Sequence, residues 1–329
     1  MRKKPLFHVY GDIHLVLYHQ AKKTKIGFYI KQGGLFILKK AGFILFFAFM
    51  LILLAACGSD DTANGNGSKL EQLQESGTVT IGFANEAPYA YEENGELKGA
   101  AVAIAETVFA ELGIDTVESQ LSDWSQLIPG LQAGQFDVIT AGMAIQPDRC
   151  ENAAFSEPTM QYGEGLIVEA GNPLGLESYK DIADNPDATV VVMEGATEIG
   201  FLQEEGVDPS QIVTAPDIPA TFSAVQSGRA DATTGTEMTV KMALESANTD
   251  ALEFVESFEQ PDIKGVPSYG AEAFNLNDAD LRDAYNEKLA ELKEDGTIAD
   301  LLDENGFSSE SNFVPVDEVT TEEVCNGEV

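Results

Sequence analysis

From Thr78 onward, short β-branched runs alternate with segments of helical spacing, and this alternation limits the fold more than any other feature of the chain. Thr78–Phe83 (TVTIGF) reads as a strand. Ala100–Leu112 places Val102, Ala105, Val108, Phe109 and Leu112 at helical spacing. Gln126–Gln132 reads as a helix and Phe136–Thr140 as a buried strand. Val190–Met193 and Asp231–Thr234 read as further strands, with helices at Glu198–Glu205 and Pro219–Gln226. Asp278–Lys293 and Thr297–Glu304 read as two closing helices. The alternation predicts α/β layers with largely parallel sheets.

One internal echo bears on how many layers there are. Leu131–Gly142 reads LQAGQFDVITAG, and 94 positions later Val225–Thr236 reads VQSGRADATTGT. Two helix–strand joins can share a glycine cap for mechanical reasons alone. The length of the match favours two related lobes, each offering strand ends and helix N-termini to a shared cleft.

Charge is distributed unevenly. The chain has 55 acids and 19 bases, a net −36. Residues 1–56 hold nine of the bases, one acid (Asp12) and all three histidines. Removing these leaves 10 bases against 54 acids over residues 57–329, a net −44 with no histidine. Nucleic acid is not an expected partner, because such a surface repels phosphate. A histidine-based metal site or general base after residue 57 is excluded, and no metal or cofactor is expected. A surface this acidic suits a high-salt setting, where counterions screen self-repulsion.

Lys39-Lys40 precede a 16-residue apolar run, Ala41–Ala56, and then Cys57. A bilayer span needs about 20 residues, so the run suits a signal-peptide core. Leu54-Ala55-Ala56-Cys57 has the order of a lipoprotein signal, with Cys57 as the lipidated residue. An uncleaved membrane anchor is the alternative. Residues 1–38 read as an over-long start of the frame. Gly58–Ser68 is small, polar and glycine-rich, a flexible tether. After Cys57 only Cys150 and Cys325 remain, so one intramolecular disulfide is expected outside the cytoplasm, the alternative being two free thiols.

Three segments carry candidate binding residues. In Phe83–Tyr91, Glu86 could accept from a cationic N–H and Tyr89 could offer a π-face, or both could be ordinary loop residues. In Thr140–Cys150, Gly142 permits close backbone approach, and Arg149 is a planar fork for a carboxylate. In Glu194–Glu198, Thr197 is placed to cap a helix whose free N–H groups attract an anion. Trp124, the only tryptophan, sits either at a cleft edge or in the core.

These residues carry a resemblance. From Thr78 to about Phe307 the chain resembles the solute-binding proteins of polar amino-acid ABC importers. The resemblance rests on the Thr78–Phe83 strand with Pro88-Tyr89, Leu127–Asp137 (LIPGLQAGQFD), Gly142-Met143 through Arg149, and Phe155–Pro158 (FSEP). It implies a two-lobed α/β, periplasmic-binding-protein-like fold with two hinge crossings and a ligand cleft between lobes. It also implies Arg149 on a ligand carboxylate and aromatics near Tyr89 and Trp124 beside the ligand. One position departs: the second-lobe acid that holds an α-ammonium is Thr236 here, with Glu237 following. A narrower group matches better. Ala84–Tyr89 (ANEAPY), Arg149–Asn152 (RCEN), Gly195–Glu198 (GATE) and Glu323–Cys325 (EVC) resemble ectoine/hydroxyectoine-binding proteins. Ectoine is a cyclic amidinium carboxylate without a primary ammonium. The resemblance implies Arg149 on its carboxylate, Glu86 on a ring N–H, Tyr89 and Trp124 on its faces, and Thr197 closing from the second lobe. Gly142, Met143, Glu198 and Thr236 complete the implied ligand set.

The expected organisation is a signal region over residues 1–56, lipidated Cys57 with a linker to residue 77, lobe 1 over 78–168 and 268–329, and lobe 2 over 169–267. Crossings are expected at Gly165–Ala170 and Gly265–Phe274. The expected product is a monomeric, non-enzymatic lipoprotein on the outer face of the cell membrane. It would capture a small zwitterionic solute for the transmembrane subunits of an ABC permease. A polar amino-acid binder is the alternative. An exported dehydratase on the same fold would need a cleft acid such as Glu86 or Glu198, and no nucleophile–base pair accompanies them.

Overall fold

The computed structural model describes residues 67–329. The expected signal region, the lipidation site Cys57 and most of the tether lie outside the described residues. Helix α1, Lys69–Ser76, opens the described chain within what the sequence reading takes as linker. Ser68 Oγ accepts from the Glu71 N–H while the Glu71 carboxylate accepts from the Ser68 N–H, and Gly77 ends the helix in the left-handed region. Leu73 is buried in the core, and Lys69 pairs with Asp137. The linker is therefore shorter than expected.

The first passage continues with β1 (Thr78–Phe83), the hairpin β2 (Tyr91–Glu93) and β3 (Glu96–Lys98), helix α2 (Ala100–Glu111) and β4 (Thr116–Leu121). A 3-10 turn at Trp124–Gln126 leads into α3 (Leu127–Gln132) and β5 (Val138–Ala144). Then come α4 (Pro147–Cys150), β6 (Ala154–Phe155) and β7 (Met160–Tyr162). The second lobe contains β8 (Glu164–Glu169), α5 (Tyr179–Asp184), β9 (Val190–Met193), α6 (Glu198–Glu204), β10 (Ile212–Ala215), α7 (Ile218–Gln226), β11 (Ala232–Thr236), α8 (Glu237–Ala247) and β12 (Leu252–Phe254). The chain returns through β13 (Ser268–Phe274), α9 (Ala279–Glu294), α10 (Thr297–Glu304), α11 (Ser309–Asn312) and α12 (Thr321–Cys325).

The first sheet has the order β4-β1-β5-β13-β6, with β7 also paired to β13; the second has the order β10-β9-β11-β8-β12. In the first, β1 runs parallel to β4 and β5, and β13 is antiparallel to β5. In the second, β9 runs parallel to β10 and β11, and β8 is antiparallel to β11. The two sheets therefore repeat one plan. β5 and β11 occupy the same place in it, and they are the strands of the internal echo.

Two boundaries differ from the sequence reading. β8 pairs wholly within the second sheet, so the first crossing falls at Gly163, ahead of Gly165–Ala170. Ser268–Phe274, expected as part of the return crossing, is a buried central strand of the first sheet. Its small and polar residues, Gly270 and Glu272 among them, conceal the apolar run that a buried strand usually shows.

Both sheets are covered on both faces. Ile81, Ile104, Phe109, Phe274 and Tyr285 fill one side of the first, and Leu127, Leu131, Ile139 and Phe155 the other. In the second, Val190 and Val192 face one layer while Val191 faces the opposite one, as strand alternation requires. Cys150 and Cys325 are bonded, with Cα atoms 5.8 Å apart across 175 residues, and the bond joins α12 to α4. Among the described residues no helix is long and apolar enough to cross a membrane.

Candidate ligand-binding site

A cleft lies between the two lobes, with about 440 Å³ of atom-free space that includes its opening to solvent. Glu86, Tyr89, Trp124, Gly142 and Arg149 line it from the first lobe, and Thr197, Glu198 and Thr236 from the second. Met143, also expected there, is 1% exposed and packs in the core with Phe155 and Val324. Strand alternation explains this: on β5, Gly142 faces the cavity and its neighbour faces away.

The first-lobe wall begins where β1 ends. The Glu86 N–H donates to the Ala90 carbonyl at 2.9 Å, closing a tight loop. Glu86 Oε1 is enclosed and has no hydrogen-bond partner. Burial pushes its carboxyl up to about 8, the Glu198 charge adds to this, and Arg149 opposes it. Tyr89 packs edge-on against Tyr162 and Phe307, with ring centroids 5.3 and 5.1 Å away. Its ring lies directly on the backbone of Gly142, whose φ is +60°. A Cβ there would come within 2.2 Å of Tyr89 Cδ1, so only glycine fits. Tyr162 Oη donates to the Gly142 carbonyl at 2.7 Å.

Pro147 opens α4, and Arg149 on that short helix is 8% exposed. Its guanidinium donates to the Ala144 carbonyl at 2.9 Å and, across the cleft, to the Gly195 carbonyl at 3.0 Å. Trp124 Nε1 donates to that same Gly195 carbonyl at 3.2 Å, and the guanidinium sits 5.6 Å from the indole centroid. One second-lobe carbonyl thus receives two donors from the first lobe. Two of the five guanidinium N–H groups are engaged in this way. Burial lowers the Arg149 pKa, and Tyr162, Asp148, Glu198 and Glu86 oppose the shift.

On the second lobe, Thr197 stands at the N-cap of α6 but has helical φ and ψ, and its hydroxyl makes no cap. It donates instead to Glu198 Oε2 at 3.4 Å. Glu198 is 3% exposed and stands in the first turn of α6, where the free N–H groups favour its charge. The expected attraction of the helix N-terminus for an external anion is therefore met by the chain's own carboxylate. Burial pushes Glu198 up, and the backbone N–H, Glu164, Arg149 and Thr197 oppose it. Thr236 Oγ1 donates to Thr239 Oγ1 at 2.8 Å. Glu237 pairs with Lys241 at 2.5 Å, so it supplies no acid in place of the one missing at Thr236.

Sequence reasoning missed Tyr162, Met193, Ile218 and Thr234 in the cavity wall. The echo could have found Thr234, since it sets Thr234–Thr236 opposite Thr140–Gly142. It also missed Glu164, a fully buried acid at the start of β8. Among 54 acids after residue 57, no local pattern marks it.

Two α/β lobes on one strand plan, crossed twice by the chain and enclosing a cavity of mixed aromatic and charged groups, define a two-lobed solute-binding protein. The chain belongs to the bacterial extracellular solute-binding proteins, family 3, whose profile matches residues 79–307. It is 38% identical over 262 residues to the "Probable amino-acid ABC transporter periplasmic-binding protein y4tE" of Sinorhizobium fredii, covering 78% of this chain and 86% of that one. The crystal structure of EhuB in complex with hydroxyectoine superposes with a TM-score of 0.70 at 36% identity, over 78% of this chain and 97% of that one. The ancestral amino acid-binding protein AncCDT-1, a precursor of cyclohexadienyl dehydratase, superposes with a TM-score of 0.62 at 28% identity, over 72% and 99%.

Proposed function

We propose that this chain captures ectoine or hydroxyectoine outside the cell membrane and delivers it to the transmembrane subunits of an ABC importer. The observation that carries the reading is one cavity lined by a single guanidinium, Arg149, and by Glu86, whose Oε1 is buried without a hydrogen-bond partner, with Thr236 in place of an ammonium-binding acid. A cyclic amidinium carboxylate needs this set. Its carboxylate takes free N–H groups of Arg149. Its delocalised cation takes Glu86 in the ring plane and the aromatic walls of Tyr89 and Trp124 on its faces. Trp124 is already held by Gly195 and Arg149, so its role includes latching the lobes as well as forming a wall. A ligand touching both lobes favours the closed arrangement that a transporter can recognise. The hydroxyectoine complex of a relative at 36% identity supports the same ligand class. Lipidation at Cys57, placement on the outer face of the membrane and action as a monomer belong to this proposal.

A polar amino acid is the second reading. Glu198 favours it, because this buried second-lobe acid could hold an α-ammonium that Thr236 cannot. Calorimetric titration with ectoine, hydroxyectoine, arginine and glutamine separates the two. Heat only with the first pair supports the proposal; tight glutamine or arginine binding without ectoine binding replaces it. Consumption of a prephenate-like substrate by the purified protein would point to an enzyme instead.

A further inference from the structure

The ring of Tyr89 forms a wall of the site, but nothing above gives its hydroxyl a role. Tyr89 lines the interlobe cleft and is 2% exposed. Among the described residues, two enclosed side-chain oxygens of the cleft wall lack a hydrogen-bond partner, Glu86 Oε1 and Tyr89 Oη. Both sit on the loop after β1, where the Tyr89 N–H donates to the Glu86 carbonyl at 3.0 Å and fixes one residue against the other. The ring has no room to swing toward another partner. The backbone of Gly142 lies against it, and Tyr162 and Phe307 meet it edge-on. Every other hydroxyl of the cleft wall is engaged. Tyr162 donates to the Gly142 carbonyl at 2.7 Å, Thr197 to Glu198 Oε2 at 3.4 Å, Thr234 to the Gly165 carbonyl at 2.8 Å and Thr236 to Thr239 Oγ1 at 2.8 Å. Tyr89 alone keeps a hydrogen to give.

Phenylalanine would make the same apolar wall without enclosing an unmatched hydroxyl, and an enclosed hydroxyl without a partner is costly. In the pose proposed above, the ligand carboxylate goes to Arg149 and a ring N–H to Glu86. Ectoine then has no group left for Tyr89. Hydroxyectoine has one more hydroxyl, and its oxygen can accept. We propose that Tyr89 is a specificity-determining residue: its hydroxyl donates to the ligand hydroxyl, so the site takes the hydroxylated cyclic zwitterion in preference to ectoine. The inference rests on the cyclic amidinium carboxylate reading. Closing on ectoine would take the Tyr89 hydroxyl out of water and leave it stranded, and a site built to bond a ligand hydroxyl rejects the analogue lacking it for this reason.

The test is calorimetric titration of the wild type and of Tyr89→Phe with ectoine and with hydroxyectoine at neutral pH. The wild type should bind hydroxyectoine about tenfold more tightly, the span of one neutral hydrogen bond. Tyr89→Phe keeps the ring and loses only the donor. Its preference should shrink to within about twofold, with hydroxyectoine affinity falling and ectoine affinity rising as the stranded hydroxyl disappears. Near-ultraviolet difference spectra should show a tyrosine band displaced by hydroxyectoine more than by ectoine in the wild type, and that excess should be absent in Tyr89→Phe. Equal wild-type affinities, or the same preference in Tyr89→Phe, would overturn the inference and leave the ligand class standing. An equal loss for both ligands in Tyr89→Phe would assign the hydroxyl to the carboxylate they share, and would overturn it too. If the wild type binds neither ligand, the ligand reading itself fails and the inference falls with it.

Discussion

Among the described residues Arg149 is the only base that lines the interlobe cavity, while five of the ten bases after residue 57 sit in ion pairs elsewhere. Its replacement by alanine removes both the carboxylate fork and one of the two donors on Gly195. Truncating such a buried charged contact typically costs about 2–5 kcal/mol. Arg149→Ala should therefore keep an unchanged circular dichroism spectrum while losing at least about thirtyfold in ligand affinity. Glu86 gives a sharper signature. Burial pushes its carboxyl up to about 8, so it is mostly protonated at neutral pH in the empty cavity. A cationic N–H placed on it favours the ionised form, and binding at pH 7 should release a proton. Calorimetry in buffers of different ionisation heat should detect that release, and Glu86→Gln should abolish it. The same shift has a consequence for stability. A carboxyl whose folded pKa is raised binds protons more tightly folded than unfolded, so the ligand-free protein should lose stability as pH rises from about 4.5 to 8. Glu272, pushed up to about 7 by burial in β13, acts in the same direction. A urea midpoint higher at pH 8 than at pH 5 would contradict this.

The elements that position the site were legible in uneven measure. β1 and β9 were readable because continuous β-branched runs survive burial on both faces. β13 was not, since Ser268, Gly270 and Glu272 interrupt its run, and a buried acid looks like any other acid in this chain. α1 carried its signal in Ser68 and Glu71, but the glycine-rich stretch before it hid the capping box. At the site itself, residue chemistry pointed to Glu86, Tyr89, Trp124 and Arg149. Which side of β5 faces the ligand needed the pleat, and Met143 fell on the wrong one. The disulfide links α12 to α4, the helix that carries Arg149. Loop-closure arithmetic allows on the order of 4–5 kcal/mol for a loop of this length. The double variant Cys150→Ser, Cys325→Ser should melt at a markedly lower temperature and bind ligand more weakly; equal melting and affinity would remove the bond from this account.

At the scale of the whole molecule, two sheets of equivalent plan face one cavity, and the lobes meet where Trp124 and Arg149 share the carbonyl of Gly195. Residues 57–329 carry a net −44, and few bases are present to offset it. Salt at about 1 M shortens the screening length to roughly 3 Å, so the melting temperature should rise from low to high salt, as differential scanning calorimetry can show. Closure around a solute that is at once anion and cation is the central claim. Its most direct measurement is a crystal structure grown with ectoine. The account predicts one ectoine in the cavity, its carboxylate against Arg149, a ring N–H on Glu86, and Glu198 in contact from the second lobe. An empty cavity at saturating ectoine, or a bound molecule turned so that its carboxylate avoids Arg149, would contradict it.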